Sequence, residues 1–564
     1  MRFPISDADV IPECILIYYH HHLSSSNQRR ELECGTKRIK AIQLDMEDSD
    51  HEPPVDVLQD ASSSAPPSSL QNSMPSLPSS SSSSSTSNID LSIMSPQDAA
   101  NHLFKNSEIL APMVRASTTP LRTLALSHGA SLVYTEELVD RSISASERIV
   151  NTELGTIDYR VPKHTYSLKV QKRMAADKDN PDSENGAILL RIDPIVERNK
   201  LIYQIGTGES NLALEAATKV ISDVNGIDIN MGCPKKFSVS GGMGSALLSD
   251  TKRACDIIST LRRNLSKPVS AKIRLLDPED PRPTIDFVKA LISSGANAIT
   301  IHGRIVGDES HTMARWTTLV EVVRQLKQTE SVPIIVNGDL YTRADILEIK
   351  SRSLCDGVML ARPALYNVSL FRKGEAEETT STTDEIPLPQ FQSTDHSGYY
   401  GYNSPLLHSR TSVVQEYLAH CIRYRAHSKN AKYVVCEMMN SRRAPTNRVP
   451  YLNMQYESGQ TIATVCKCRS LDDLVKVWDV KYTIPFPKTT TQAKNAETTT
   501  TGIDLHNYDD RYFLDHDKFL SERGKDGVVD TTAASNMASN GEGDEKKLED
   551  VCDVPPPVLK RPKL

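Results

Sequence analysis

Eight short apolar runs, separated by stretches of helical periodicity, constrain the fold more than any other feature of this sequence. The runs are rich in β-branched residues and lie within Ser107–Arg372. They are Ile109–Ala111, Ser131–Thr135, Leu201–Ile205, Ile227–Met231, Val269–Ile273, Ala298–His302, Pro333–Asn337 and Gly357–Leu360. Between them, Asn211–Val224 shows the clearest amphipathic pattern, because its apolar residues recur at three- and four-residue spacing. Buried strands that alternate with such helices predict a parallel sheet.

The number of strand–helix units indicates how that sheet closes. Eight units within one domain-sized stretch are typical of the α/β fold known as the (β/α)8, or TIM, barrel. An open, doubly wound sheet is the alternative. The count of eight and the length of residues 107–372 favour the barrel.

The flanking segments differ from the barrel stretch in composition. Residues 1–106 contain a segment rich in Ser and Pro, so we expect this N-terminal region to be mostly disordered. Residues 373–404 are predicted to form a flexible linker or insertion, and residues 405–480 a smaller helical domain. Residues 481–564 begin with a Thr-rich stretch and are predicted to be a disordered C-terminal tail. The low hydrophobic fraction of 38% agrees with such extensive uncompacted flanks.

Charge follows the same division of the chain. The barrel stretch has 34 basic and 31 acidic residues, and residues 405–480 have 11 and 6, although the whole chain carries a net charge of −7. The predicted folded parts are therefore slightly basic, which is compatible with a polyanionic partner.

Several classes of protein are disfavoured. No apolar run approaches the roughly 18 residues of a membrane span, so no membrane association is expected. The ten cysteines are scattered without a disulfide framework, which indicates a reducing compartment. Cys466 and Cys468 form an isolated CxC pair, so no metal site is expected there.

A basic cluster at residues 560–563 is one candidate for a nuclear import signal, and both cytoplasm and nucleus stay open as locations. We expect a monomer.

Polar side chains cluster at the C-terminal ends of the predicted strands, where TIM barrels carry their active sites. Any one of these residues alone could be structural. They are Gln204, Asn230, Cys233, Lys272, His302, Asn337 and Arg362. Together they place amides, a thiol, an amine, an imidazole and a guanidinium around one rim, and this set predicts an active site.

The last two strand ends favour a phosphate site. In this fold the loops after strands seven and eight commonly bind phosphate, and here they contain Asn337-Gly338-Asp339 and Ala361-Arg362. Gly338 allows backbone N–H groups to approach a ligand closely, and Arg362 offers a guanidinium fork. The alternative is that these glycines only form turns.

The segment Asn230–Pro234 is the most specific in the sequence. It places Cys233 in a glycine-rich region that continues to Gly241–Gly244. An ordinary thiol has a pKa of about 8.5, so it is mostly protonated at neutral pH and can act as an acid as well as a nucleophile. The alternative is that Cys233 is a small buried hydrophobic residue.

Several motifs occur in an order that matches one family. They are Ala111-Pro-Met-Val-Arg115, Tyr134-Thr-Glu-Glu-Leu138, Asp228-Ile-Asn-Met-Gly-Cys-Pro-Lys-Lys236, Gly241-Gly-Met-Gly244, Lys272-Ile-Arg274, His302-Gly-Arg304 and Asn337-Gly338. In these motifs the sequence resembles the tRNA-dihydrouridine synthases, and within them the eukaryotic subgroup that acts on uridine 20 of cytoplasmic tRNA. The resemblance covers residues 107–372 and extends more weakly over residues 405–480, where the family has a helical tRNA-binding domain.

The resemblance implies an enzyme that binds flavin mononucleotide (FMN) and uses NADPH, or NADH, to reduce the C5–C6 double bond of a uridine in the D-loop of tRNA. It implies that Cys233 donates the proton and that Asn230 contacts the target base. The implied flavin contacts are Pro112, Met113, Val114, Gln204, Lys272, His302, Asn337, Gly338, Asp339, Ala361 and Arg362. The candidate tRNA contacts outside the barrel are Arg423, Arg425, Arg442, Arg443 and Arg448.

Two other functions remain open at this point. One is an FMN-dependent TIM-barrel oxidoreductase that acts on a small molecule, and the other is a non-catalytic RNA-binding protein with the same fold. The basic residues outside the barrel favour an RNA substrate over a small molecule. Two segments depart from the family pattern: Tyr159–Asp193 is long, and the segment after Arg304 lacks the expected basic residues.

Overall fold

The computed structural model describes residues 90–168, 171, 172, 174, 186–374, 404–439, 456, 459–481 and 484. The Ser/Pro-rich N-terminal segment, nearly all of the predicted linker, nearly all of the C-terminal tail and its basic cluster lie outside the described residues.

Eight parallel strands close into a barrel, which confirms the predicted fold. In chain order, the strands of the structure are β1 Ser107–Leu110, β2 Leu132–Tyr134, β3 Leu138–Val139, β4 Glu147–Asn151, β5 Thr156–Pro162, β6 Gly186–Ile192, β7 Leu201–Gly206, β8 Gly226–Asn230, β9 Val269–Arg274, β10 Ala298–His302, β11 Ile334–Asn337 and β12 Gly357–Leu360. The barrel consists of β1, β2 and β7 to β12, each parallel to its neighbours. Pairing of β2 with β7 closes it and excludes the open sheet.

Helices surround the barrel. In chain order they are α1 Pro96–Phe104, α2 Thr119–Ser127, α3 Asp140–Ser144, α4 Ser210–Val220, α5 Lys236–Ser240, α6 Thr251–Asn264, α7 Arg282–Ser293, α8 Trp316–Thr329, α9 Arg343–Ser353, α10 Arg362–Tyr366, α11 Arg410–Arg423, α12 Ser428–Met439, α13 Ile462–Lys467 and α14 Leu471–Val477. Local sequence signals fix some helix ends. At the start of α9, for example, Thr342 and Asp345 form a capping box. Among these described helices, none combines the length and apolar character that a membrane crossing needs.

Helical structure is present on the N-terminal side of the predicted boundary at residue 106. Helix α1 lies inside the segment expected to be disordered, and Ser95 caps it by accepting a hydrogen bond from the backbone of Asp98. Its residues Ala100, Leu103 and Phe104 join a buried apolar cluster with residues from the barrel strands. Burial of this apolar face stabilises the helix, because each fully buried large apolar side chain contributes about 1.5–3 kcal/mol.

The long stretch between the second and third barrel strands forms its own small sheet. Strands β4, β5 and β6 pair antiparallel in that order. Within the sheet, Arg191 forms a buried bidentate ion pair with Asp158, with both N–O distances at 2.7 Å. The departure from the family pattern at Tyr159–Asp193 is therefore a folded insertion in its described part.

Helices α11 and α12 lie in the region predicted to be helical, and α11 packs against α2 of the barrel. At this contact Glu416 is buried between two histidines: its Oε2 lies 2.5 Å from Nε2 of His128, and its Oε1 lies 3.0 Å from Nδ1 of His408. Burial opposes the carboxylate charge, but the two histidines hold the pKa of Glu416 below its ordinary value. The insertion also contributes, since Arg191 donates to the carbonyl of Tyr424 at 2.6 Å. The helical region is thus anchored to the barrel through buried polar contacts.

Candidate active site

A cavity of about 450 Å³ opens at the C-terminal end of the barrel. All but one of the residues that the sequence predicted to hold a flavin line it, together with Asn230 and Cys233. Those lining residues are Pro112, Val114, Gln204, Lys272, His302, Asn337, Gly338, Asp339, Ala361 and Arg362. The exception is Met113, whose side chain packs against the hydrophobic core. The structure therefore brings the predicted polar rim together and leaves Met113 outside the lining.

Strand register explains why these side chains converge. Gln204, Asp228 and Ser270 occupy aligned positions on β7, β8 and β9. Two residues further along, Asn230 aligns with Lys272. Because residues two apart in a strand point to the same face, each aligned set faces the barrel interior as a layer.

A chain of hydrogen bonds runs through these layers to the cysteine loop. The carboxylate of Asp228 accepts from Gln204 Nε2 at 2.8 Å and from Ser270 Oγ at 2.6 Å. Gln204 Oε1 accepts from Asn230 Nδ2 at 3.1 Å, and Asn230 Oδ1 accepts from the backbone N–H groups of Gly232 and Cys233 at 3.0 and 2.9 Å. Asn230 therefore fixes the loop that carries the thiol.

Burial makes Asp228 a weak acid. It raises the pKa of Asp228 to about 6, against the hydrogen bonds from Ser270 and Gln204 and the charge of Lys272. Burial also lowers the pKa of Lys272 to about 8, and the positive charge of Arg274 adds to this effect. Lys272 consequently stays mostly protonated at neutral pH.

The thiol of Cys233 faces a buried acid. Burial raises the pKa of Cys233 to about 12, and the negative charge of Glu137 acts in the same direction. The carboxyl of Glu137 lines the same cavity and acts on the thiol, and Ser238 Oγ lies 3.5 Å from Glu137 Oε1. Gly244 is needed nearby, because its φ is +60° and a Cβ there would lie 2.6 Å from the Cys233 carbonyl oxygen. Cys233 is therefore a protonated thiol that could act as an acid.

The opposite side of the cavity is cationic. Arg304 forms a buried bidentate ion pair with Asp339 at 2.7 and 2.8 Å, and Arg362 lies 3.3 Å from the same carboxylate. Arg304 also lies 3.1 Å from Nε2 of His302. Burial, together with the charges of Lys272 and the neighbouring arginines, holds the pKa of His302 well below its ordinary value. His302 is thus neutral, and the surrounding charge suits an anion.

The loop that follows β11 needs glycine for both space and conformation. Gly338 has φ +132°, and a Cβ there would lie 2.9 Å from Cβ of Ala314 and 3.3 Å from Cδ2 of His302. Its carbonyl accepts from the indole of Trp316 at 3.0 Å. Asn337 donates to the carbonyl of Met359 at 2.7 Å, which ties this loop to the next strand. The positive φ and the close approach of Ala314 and His302 are sufficient reasons for glycine at position 338, so the phosphate site stays a prediction.

The acidic segment after Arg304 also reaches the cavity. Asp308, Glu309 and Ser310 line it. Arg362 donates to the carbonyl of Ser310 at 2.6 Å, so this segment positions the guanidinium.

The candidate tRNA contacts outside the barrel have different outcomes. Arg423 is 2% exposed and donates to the carbonyl of Leu154 at 2.9 Å, so its predicted tRNA contact is wrong: a buried guanidinium cannot reach a phosphate backbone. Arg425 is accessible and pairs with Glu153. An exposed ion pair contributes little to stability, so Arg425 could leave Glu153 for a phosphate, and its tRNA contact stays a prediction. Arg442, Arg443 and Arg448 lie outside the described residues.

Sequence reasoning missed several residues of this site. Glu137, Asp228, Arg274 and Arg304 line the cavity or contact its lining residues. All four occur in the motifs quoted above, and Glu137 lies three residues after Tyr134, the last residue of the second barrel strand. The rule that polar residues at strand ends converge would therefore have found Glu137.

Comparison with known proteins agrees with this site. A family model described as dihydrouridine synthase (Dus) matches residues 109–433. The chain is 37% identical over 276 residues to a tRNA-dihydrouridine(20) synthase of Schizosaccharomyces pombe, and 40% identical over 247 residues to the protein of the same name from Saccharomyces cerevisiae; both carry NAD(P)+ in their names. It is 27% identical over 267 residues to a mouse protein named tRNA-dihydrouridine(20a/20b) synthase-like.

These alignments cover part of each protein. They cover 48% and 43% of this chain and 52% and 59% of the two fungal relatives, and 47% of this chain and 68% of the mouse protein. The chain therefore spans a little more than half the length of the fungal relatives. The family model, in contrast, matches more than half of this chain, and the matched range includes every residue that lines the cavity. The chain belongs to the dihydrouridine synthase family.

Proposed function

We propose that this protein is a tRNA-dihydrouridine synthase that reduces the C5–C6 double bond of a uridine in the D-loop of tRNA, at position 20. The observation that carries this proposal is the cavity in which a protonated thiol, Cys233, faces the amide of Asn230 and the amine of Lys272. The names of the fungal relatives support the substrate and the position.

FMN is the proposed cofactor, and the residues of the cavity fit it. A volume of about 450 Å³ lies within the roughly 300–1,000 Å³ range of ligand pockets. Gly338 and Arg362 both line the cavity, so the donor set there includes a glycine loop and a guanidinium, which suit a phosphate. Gln204 and Lys272 offer hydrogen-bond donors deeper in the barrel for the polar edge of a flavin ring. FMN, when bound, would supply hydride to C6 of the uracil after reduction by NADPH or NADH.

The protein's own residues would supply the proton and orient the base. Reduction at C6 leaves negative charge on C5 and O4 of the uracil, and C5 must then take a proton. Cys233 can give that proton, because burial keeps its thiol in the protonated form. Lys272 carries a positive charge that would stabilise developing negative charge in the cavity. Asn230 holds the backbone of Cys233 and would contact the base through its amide nitrogen.

The polynucleotide substrate imposes two further requirements. The uridine must leave the stack of the D-loop to enter the cavity, at a cost of a few kcal/mol. The tRNA backbone must also find cations outside the barrel. We propose that the helical region supplies them, since residues 405–480 carry 11 basic and 6 acidic residues. Within its described part, the predicted Arg425 and the exposed Lys467 and Arg469 are candidates.

Incubation of the purified protein with NADPH and unmodified tRNA tests the proposal. Nucleoside mass spectrometry should detect dihydrouridine, and fragment mapping should assign it to position 20 of the D-loop. The purified protein should also be yellow, with a flavin spectrum. A yellow protein that leaves tRNA unchanged but reduces a free pyrimidine would favour the small-molecule oxidoreductase, and a colourless protein that binds tRNA would favour the non-catalytic function.

A further inference from the structure

One buried acid in the cavity has no part in the chemistry proposed so far. Glu137 is 3% exposed and lines the cavity next to Cys233. Its Oε1 lies 3.5 Å from the hydroxyl of Ser238, its carboxyl interacts with the thiol of Cys233, and the described residues include no ion pair to it. On its other side, a Cβ on Gly206 would lie 2.7 Å from its Oε1, so the strand leaves room for this carboxyl only because it has glycine there.

The protonation state of Glu137 decides where the thiol proton points. As a carboxylate, Glu137 can only accept, so the S–H of Cys233 is directed toward it and away from the cavity. As a carboxylic acid, Glu137 donates to sulfur and leaves the S–H free to point at a substrate. Burial raises the pKa of Glu137 to about 7, against the hydrogen bonds from Cys233 and Ser238, so both forms are present near neutral pH.

We propose that Glu137 is the proton reservoir for Cys233, which it positions for proton donation and reprotonates after each turnover. This inference rests on the proposed reduction of uridine. In the first step the S–H bond breaks and a C5–H bond forms with the electron pair of the uracil anion, which leaves a thiolate. In the second step the O–H bond of Glu137 breaks and S–H re-forms. The carboxylate then takes a proton from hydronium or a buffer acid in the solvent.

The direction of the second transfer follows from the two acids. A thiolate whose conjugate acid has a pKa of about 12 is a much stronger base than a carboxylate whose conjugate acid has a pKa of about 7. Transfer from Glu137 to the sulfur is therefore downhill.

The other charged groups that face this pair do not replace Glu137. Lys272 and Arg274, both from β9, are the cations whose charge acts on Cys233. They favour the thiolate, but neither forms a hydrogen bond with the thiol among the contacts of the described residues. From α5 the neighbour is the hydroxyl of Ser238, which does not titrate, and the loop after Cys233 contributes the backbone N–H of Lys235. From β7 the neighbour is Gly206, which has no side chain.

The first test measures the thiol directly and needs no substrate. Alkylation of Cys233 by iodoacetamide is followed by peptide mass spectrometry across pH in the wild type, in Glu137→Gln and in Glu136→Gln. Removing the neighbouring negative charge should lower the thiol pKa, and the alkylation rate near neutral pH should rise about tenfold per unit of that shift. Glu136 is the matched control, because it is the adjacent glutamate and accepts from the backbone of Arg115 instead of contacting Cys233. An unchanged alkylation profile in Glu137→Gln would overturn the coupling.

The second test measures proton donation to substrate. Pre-reduced protein is mixed with tRNA in a single turnover, and dihydrouridine is quantified across pH. The rate should fall in the wild type as pH rises through the pKa of Glu137, because the reactive form has the acid protonated. It should be independent of pH over that range in Glu137→Gln and should keep the wild-type fall in Glu136→Gln.

The outcomes separate the two proposals. A fall with pH in Glu137→Gln that matches the wild type would overturn the reservoir. A folded, flavin-loaded wild type that makes no dihydrouridine would instead refute the proposed function, and the alkylation test would then decide the Glu137–Cys233 coupling on its own. Glu137→Asp should restore part of the pH dependence, because it returns an acid at this position.

Discussion

A buried ion-pair cluster at the start of the barrel makes a stability prediction that can be worked out numerically. Glu108 on β1 is fully buried, and its carboxylate accepts from Arg343 at 2.5 and 3.2 Å and from Lys350 at 2.9 Å. Burial opposes its charge, but Arg343 and Lys350 together lower the pKa of Glu108 from 4.5 to about 2. A shift of this size corresponds to about 3 kcal/mol of stability at neutral pH.

The substitution Glu108→Gln should cost about 3–5 kcal/mol of unfolding free energy, because it leaves the buried guanidinium of Arg343 without its counter-charge. The matched control is Glu348→Gln. Glu348 pairs with Arg352 on the same helix at 2.8 Å, but the two side chains are 45% and 44% exposed. An exposed pair of this kind contributes only about 0.3–0.5 kcal/mol.

Urea unfolding, followed by the fluorescence of Trp316 and Trp478, measures both variants. Urea leaves the charges unscreened, unlike a guanidinium salt. The folded-state pKa of Glu108 is depressed, so its contribution is fully present above about pH 5 and is lost as pH falls toward 2. The difference between wild type and Glu108→Gln should therefore shrink below pH 5. If Glu108→Gln loses no more stability at pH 7 than Glu348→Gln, the reasoning is refuted.

Other variants test the site and the tRNA surface. Cys233→Ala should keep flavin and NADPH oxidation but reduce dihydrouridine formation by about 10²–10⁴-fold in a single turnover, and wild-type rates there would make Cys233 structural. Arg362→Glu should release flavin from the purified protein, as measured by its absorbance, and full retention would contradict the phosphate site. The affinity for tRNA should fall with salt at a log–log slope of roughly −0.7 to −0.9 per phosphate contact. Lys467→Glu combined with Arg469→Glu should weaken binding and reduce that slope, whereas the exposed Lys252→Glu on α6 should leave both unchanged.

The sequence was sufficient for the barrel and for most of the cavity because both depend on local pattern. All eight apolar runs became barrel strands, with ends within about two residues of the prediction. Because the barrel strands are parallel, their C-terminal ends lie at the same end of the barrel, and the polar residues that follow them converge there. Asn230 and Lys272 illustrate this, because they lie in register near the ends of the neighbouring strands β8 and β9.

Features that depend on distant partners were not predictable in the same way. Helix α1 has its own start signal at Ser95, but the apolar partners that bury it come from several barrel strands. Arg423 lies in a helical segment with other basic residues nearby, so its sequence context predicts a solvent-exposed side chain. Its acceptor, Leu154, lies 269 positions away in the sequence. No local pattern reports a contact of that range.

The charges of the cavity divide binding from proton chemistry. Arg362 and neutral His302 lie among the cations that would hold an anion, whereas Cys233 is a protonated thiol beside Glu137, which is present in both protonation states near neutral pH. Lys272 is coupled to both groups. Its positive charge lowers the pKa of His302, and the negative charge of a Cys233 thiolate raises the pKa of Lys272. A variant at Arg362 should therefore change cofactor retention without changing the alkylation profile of Cys233, and a variant at Glu137 should do the reverse. A change at Lys272 or at Arg274 should disturb both, because the charge of each residue acts on His302 and is coupled to Cys233.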